Sequence, residues 1–148
     1  MTSTAKVHDD EQRLLDWTKQ TFPGELGSSI GRKGIFEKVV TNETEIKPGG
    51  KALKFENTII EYSKGGGAAR YFAGLYGAGQ PVLRVQGKMT DGEKTVFTFE
   101  GRRSGTSAGS RMGGGYMKDE DIQIEDIRSV TLDLTDLMAA IAGKYAAK

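Results

Sequence analysis

The sequence predicts an α+β fold, in which a single layer of mainly antiparallel sheet (about four strands) carries N-terminal and C-terminal helices packed on one face. Apolar residues recur at helical spacing near both ends of the chain. The middle of the chain alternates apolar and polar residues, as half-buried strands do. An Asp-Gly pair lies between two of these alternating runs, and this pair is a strong hairpin signal.

Length and composition limit both the number of domains and the chemistry. The 148 residues suffice for one domain, residues 1–148, in which residues 1–8 form a flexible N-terminal tail. With no cysteine and one histidine, we expect no metal, no cofactor and no catalytic triad. A net charge of +1 gives no field that attracts nucleic acid. No apolar run approaches the ~20 residues of a transmembrane helix, so any membrane association uses another mode.

Two helices are predicted near the N-terminus. Apolar side chains follow helical spacing from Asp9 to Phe22, and carboxylates occupy the first turn, where the helix dipole favours them. Pro23 disfavours the α conformation at Phe22. We therefore expect a second, short helix that begins near Thr21 and ends at Gly34, because glycine commonly follows the last helical residue.

The residue pattern in the middle of the chain predicts four strands and one hairpin. A surface loop is expected over residues 41–51, where proline and glycines cluster. Asp91-Gly92 predicts a hairpin turn with positive φ at both central residues. The predicted strands span residues 34–40, 52–62, 82–89 and 95–101.

A long amphipathic helix is predicted at the C-terminus. We interpret its apolar stripe as core, because it recurs at steps of three and four: Ile127, Val130, Leu134, Leu137, Met138, Ile141 and Tyr145. The preceding acidic residues lack the glycine and closing glutamate of an EF-hand, so we interpret them as a solvated helix start. These residues are Asp119, Glu120, Asp121, Glu125 and Asp126.

Glycine is concentrated in two loops that flank the hairpin, residues 64–80 and 101–117. If the strands on either side are antiparallel neighbours, both loops lie at the same end of the sheet. Glycine permits close approach to an anion, and arginine supplies forked donors. The candidate binding or interface residues are Arg70, Tyr71, Phe72, Leu75, Tyr76, Arg102, Arg103 and Arg111.

Three interpretations of these loops stay open. They are mobile segments that arginines keep soluble, an anion or polymer site with stacking aromatic rings, or an apolar surface that docks on another copy or on lipid. No phosphate-binding fingerprint is completed. The segment 105–109 matches GxSxG, but glycines and serines follow it where a nucleophile elbow needs a helix.

The segment 67–71, the Gly-Ala-Gly of residues 77–79 and the hairpin that follows resemble domain-of-unknown-function family 4410, a group of bacterial putative lipoproteins. The resemblance is closest over residues 65–105. It implies an α+β domain of the cell envelope or periplasm, with an envelope protein as partner and no assigned enzymatic activity. The sequence contains no lipid-bearing cysteine, and if the chain is native as written we expect it in the cytoplasm.

Two functions from different classes are predicted, with an enzyme third. The first is a non-enzymatic structural or interaction module that forms homo-oligomers, is associated with the envelope and makes contact through the glycine-rich aromatic loop. The second is a small module that binds a phosphate-bearing or polyanionic ligand through Arg70, Arg102 and Arg103. No pair of catalytic groups is placed by a recognisable motif, so we expect no enzymatic activity.

Overall fold

A four-stranded sheet and two long helices make up the fold, as the sequence predicts. The computed structural model describes residues 1–46, 49, 52–66, 80–104 and 119–146. The strands are β1 (Thr2–Ser3), β2 (Leu53–Ser63), β3 (Val82–Asp91) and β4 (Lys94–Ser104). The helices are α1 (Asp9–Lys33) and α2 (Asp119–Ala146).

The sheet has the order β1-β2-β3-β4. Strands β2, β3 and β4 pair antiparallel, and β1 pairs parallel to β2. The prediction of a flexible tail missed β1, in which Thr2 and Ser3 lie opposite Thr58 and Ile59. The backbone N–H of Thr4 also donates to the Ile59 carbonyl, at 2.9 Å. A strand of two residues has no periodicity that a sequence pattern can detect.

Helix α1 is continuous, so the prediction of two N-terminal helices was wrong. Pro23 lies inside the helix and removes one backbone donor. Phe22 and Leu26, on either side of it, are both buried, and this packing holds the chain helical across the proline. The predicted end is confirmed, because Gly34 caps the helix with a φ of 63°.

The strand predicted over residues 34–40 is absent, since residues 35–40 adopt no regular secondary structure. Phe36 and Val39 are half-buried and pack against the core as isolated apolar contacts. Val39 also approaches Gly27 of α1. The apolar residues of this segment therefore contact the core without a strand neighbour, and a short 3₁₀ helix, Glu43–Glu45, follows.

The predicted hairpin forms, but its turn differs from the prediction. Asp91 pairs with Lys94, so Gly92 and Glu93 are the two loop residues. Gly92 has a φ of 57° and no described non-glycine residue has positive φ. Positive φ at the first loop residue alone fits a type II′ turn rather than the type I′ turn that Asp91-Gly92 predicts.

The helices cover the sheet face that the strand alternation predicts. Leu83, Val85 and Met89 of β3 are buried, whereas Gln86 and Lys88 are exposed on the opposite face. The core cluster comprises Leu14, Leu15, Phe22, Leu26, Ile30, Ile59, Tyr62, Leu83, Val85, Met89, Phe99, Ile127, Val130, Leu134 and Met138. The open face is therefore polar, as is common for antiparallel sheets covered on one side.

Candidate interaction surface

The two glycine-rich segments leave and enter the sheet at one end. Ser63 pairs with Val82, and Val82 pairs with Ser104, so the ends of β2 and β4 flank the start of β3. This confirms the expectation that both segments meet the sheet at the same end.

Most of the predicted interface residues lie outside the described residues. This applies to Arg70, Tyr71, Phe72, Leu75, Tyr76 and Arg111. Arg102 and Arg103 are described, and both belong to β4 rather than to a loop beginning at residue 101, because the strand continues to Ser104. Adjacent residues of a strand face opposite sides, so these two arginines do not converge on one ligand.

Arg102 belongs to a charged ladder on the open face. It lies directly opposite Arg84 of β3. Glu61 of β2 contacts both guanidinium groups, at 3.5 Å from Arg102 Nε and 3.8 Å from Arg84 Nη1. Arg84 also donates from Nε to Glu100, at 2.8 Å. Arg84 therefore contacts both Glu61 and Glu100, whereas Arg102, on the outer strand, contacts Glu61, which it shares with Arg84.

Arg103 lies on the helix-covered face and fastens β4 to α2. Its Nη2 donates to Asp133 at 2.7 Å. Its Nε is buried and has no hydrogen-bond partner. Burial, together with the charge of Glu125, raises the pKa of Asp126 to about 6, and the positive charge of Arg103 opposes this rise.

Asp126 corrects the prediction of a solvated helix start. It is 4% exposed, and Gln123, one turn earlier, is fully buried. Gln123 Nε2 donates to the Ser63 carbonyl at 3.3 Å, which fastens α2 to the end of β2. Gln123 Oε1 and Asp126 Oδ2 have no hydrogen-bond partner. The acidic composition of this segment gave no signal that one of its carboxylates faces inward.

Glu11 fastens the start of α1 to the same end of β2. Its Oε1 accepts from the Ser63 hydroxyl at 3.1 Å and from the Lys64 backbone N–H at 2.8 Å. Its Oε2 accepts from the His8 backbone N–H at 3.2 Å. The Lys64 side chain donates to the Asp10 carboxylate at 2.8 Å. This hydrogen bond holds the pKa of Asp10 below its usual value. Both helices thus start at the glycine-rich end of the sheet.

Strand β4 forms an open edge of the sheet. It is the last strand in the order, and within the described ranges no strand pairs with its outer side. It is eleven residues long. At the opposite edge, β1 pairs only with Thr58 and Ile59 of β2. Edge strands offer backbone donors and acceptors to an additional strand.

Helix α2 presents two exposed leucines. Leu137 is 40% exposed and Leu132 is 49% exposed. The apolar stripe predicted to be core includes Leu137 and Ile141, but Leu137 is exposed and Ile141 is only half-buried. Sequence reasoning missed this surface because the helical period cannot tell where the covering sheet ends.

An open groove of about 310 Å³ lies between α1 and α2 on their outer side. Arg128 Nε lies 3.5 Å from Glu25 Oε2 within it. The groove is lined by Glu25, Ser28, Arg32, Arg128, Thr131 and Leu132.

In the part of the chain that the structure describes, neither a membrane-crossing helix nor a metal-binding cluster is found. No described helix combines the length and the apolar character that crossing a membrane needs. No described group of three or more His, Cys, Asp or Glu side chains is arranged to hold a metal ion.

Comparisons with known proteins return no match. No protein-family model matches the chain, and no curated protein or solved structure resembles it significantly. The resemblance to family 4410, and the envelope location that it implies, therefore stay predictions.

Proposed function

We propose that the protein is a non-enzymatic interaction module that associates with a second copy of itself by pairing the two β4 edges antiparallel. The observation that carries the proposal is the eleven-residue outer edge of β4, which no described strand covers. Strand addition satisfies the backbone groups of such an edge with those of another strand. A two-fold axis between identical edges closes the assembly as a dimer.

The charge pattern of β4 favours its own copy as the partner. Arg102 faces Arg84 across the sheet and shares Glu61 with it. In a pairing centred on Gly101, Glu100 of each copy lies opposite Arg102 of the other. Each copy thus supplies a further carboxylate to the other copy's Arg102, which within one copy shares Glu61 with Arg84. Opposite charges at facing positions stabilise strand pairs, whereas like charges destabilise them.

The test is a charge reversal at the pairing site. Arg102→Glu places a carboxylate opposite Arg84 but also beside Glu61, so circular dichroism first checks that the monomer folds. In the dimer the substitution places like charges opposite each other. Exposed ion pairs contribute roughly 0.2–1 kcal/mol each, so two reversed pairs weaken association about tenfold. Sedimentation equilibrium measures the dissociation constant of the dimer.

The double variant Glu100→Arg, Arg102→Glu is the matched control, because it restores opposite charges at both positions. We expect it to recover most of the lost affinity. An Arg102→Glu variant that dimerises like the parent, or a double variant no better than the single one, contradicts the proposed pairing.

A further inference from the structure

Helix α2 crosses the strands and then passes the last one. Gln123 contacts the end of β2, and Val130 lies against Gly101 of β4. Between these residues the helix advances about 10 Å, which equals two strand spacings. Asp133 then binds Arg103 of β4. Because β4 is the last strand in the described part of the chain, a helix that keeps this direction passes the edge of the sheet beyond Asp133.

Beyond Asp133, two apolar residues continue the side of α2 that faces the sheet. Val130 and Asp133 contact β4, and Leu137 and Ile141 follow them at steps of four residues on the same side of the helix. Leu137 is 40% exposed and Ile141 is half-buried. This row of α2 side chains, which covers β4, therefore continues over the position that a strand added to the β4 edge would occupy.

We propose that Leu137 and Ile141 of α2 cover the β4 strand of the second copy, so that the interface consists of a strand pair beneath two helices. This inference rests on the proposed self-association. The two-fold axis makes the contact reciprocal, since each α2 covers the other copy's strand.

The small size of an edge contact supports this second layer. A pairing centred on Gly101 that ends at Ser104 spans residues 98–104. Two strands that pair without an apolar cover are marginally stable in water. Burying a leucine and an isoleucine side chain from each copy contributes the apolar area that the strand pair lacks. The added strand also supplies the cover that Leu137 lacks in one copy.

The experiment compares two lysine substitutions on α2. Leu137→Lys places a charge over the added strand. Leu132→Lys, five residues earlier and about 140° around the helix, lies on the groove side and serves as control. Both leucines are exposed by similar fractions, 40% and 49%, so we expect both variants to fold. Far-ultraviolet circular dichroism checks folding, and light scattering over a concentration series measures association.

We expect Leu137→Lys to weaken dimerisation at least thirtyfold and Leu132→Lys to change it less than threefold. Equal effects of the two variants, or no effect of Leu137→Lys on a dimeric parent, overturn the inference while leaving the strand pairing standing. A monomeric parent overturns the proposed function itself. Co-sedimentation with vesicles of phosphatidylcholine and phosphatidylglycerol is the second readout. Loss of vesicle binding by Leu137→Lys without loss of dimerisation assigns the face to lipid and also overturns the inference.

Discussion

At the residue scale, Gly87 and Phe99 show how a backbone position sets the packing of the sheet. The two residues face each other across β3 and β4. The Phe99 ring lies where a Cβ on Gly87 would be, and the Glu56 carbonyl oxygen lies 2.6 Å from that point. Phe99 in turn stacks on Phe55, with ring centroids 5.1 Å apart. The alternation of β4 predicts that Phe99 faces inward, but no sequence pattern predicts which glycine it covers.

Gly87→Ala is expected to destabilise the protein by about 3 kcal/mol, the upper end of the range for overpacking, because backbone as well as a side chain resists the added methyl group. Urea unfolding monitored by circular dichroism measures the change. Gly31→Ala is the control, since nothing lies within 4 Å of a Cβ at that helical position. Equal stabilities of the Gly87 variant and the parent would contradict the described packing.

The buried carboxyl of Asp126 predicts a pH dependence. Its pKa rises from 3.8 to about 6 on folding, so the folded state binds the proton more tightly than the unfolded state. Its contribution to stability is therefore greatest at low pH and is lost as the pH rises from about 4 to about 6. Asp126→Asn removes this loss, so the stability of the variant relative to the parent increases by up to about 3 kcal/mol across that interval.

Urea unfolding of parent and variant at several pH values across that interval provides the measurement. Asp133→Asn is the control, because it also removes a carboxylate beside Arg103, but an exposed one. A stability difference for Asp126→Asn that stays constant with pH contradicts the assigned burial.

At the scale of elements, the sequence predicts the features that follow from residue periodicity and misses those that depend on packing against neighbouring elements. The long strands and the C-terminal helix follow from alternation and from helical spacing, and both are confirmed. Pro23 carries a local signal to end a helix, yet the buried residues beside it continue α1. Residues 34–40 have a strand-like composition but adopt no strand. The exposed part of α2 depends on the width of the sheet, which no local pattern contains.

Pro23→Ala restores the backbone donor inside α1 and removes the ring from a helix interior. An interior proline costs about 3 kcal/mol relative to alanine, and bending of the helix relieves part of this, so we expect a stabilisation of about 1–3 kcal/mol. Thermal and urea unfolding measure it. Gln20→Ala, at an exposed position of the same helix, controls for the helix propensity of alanine. A lower stability of Pro23→Ala would mean that the ring contributes more by packing than the helix loses.

At the scale of the whole molecule, the helices cover one face of the sheet, and no strand of the described ranges pairs with the outer side of β4. On the polar open face, Arg102 of the outer strand shares Glu61 with Arg84. The unpaired edge, the outer arginine and the exposed Leu137 all lie on the β4 side of the molecule. A second copy bound there would pair with the β4 edge, place Glu100 opposite Arg102 and cover Leu137.

The mass of the parent chain in solution, measured by light scattering across a concentration series at low and high salt, tests self-association most directly. We expect a reversible dimer that persists at high salt, because backbone pairing and apolar burial outweigh the exposed ion pairs. A monomer at every concentration and at both salt levels would contradict it.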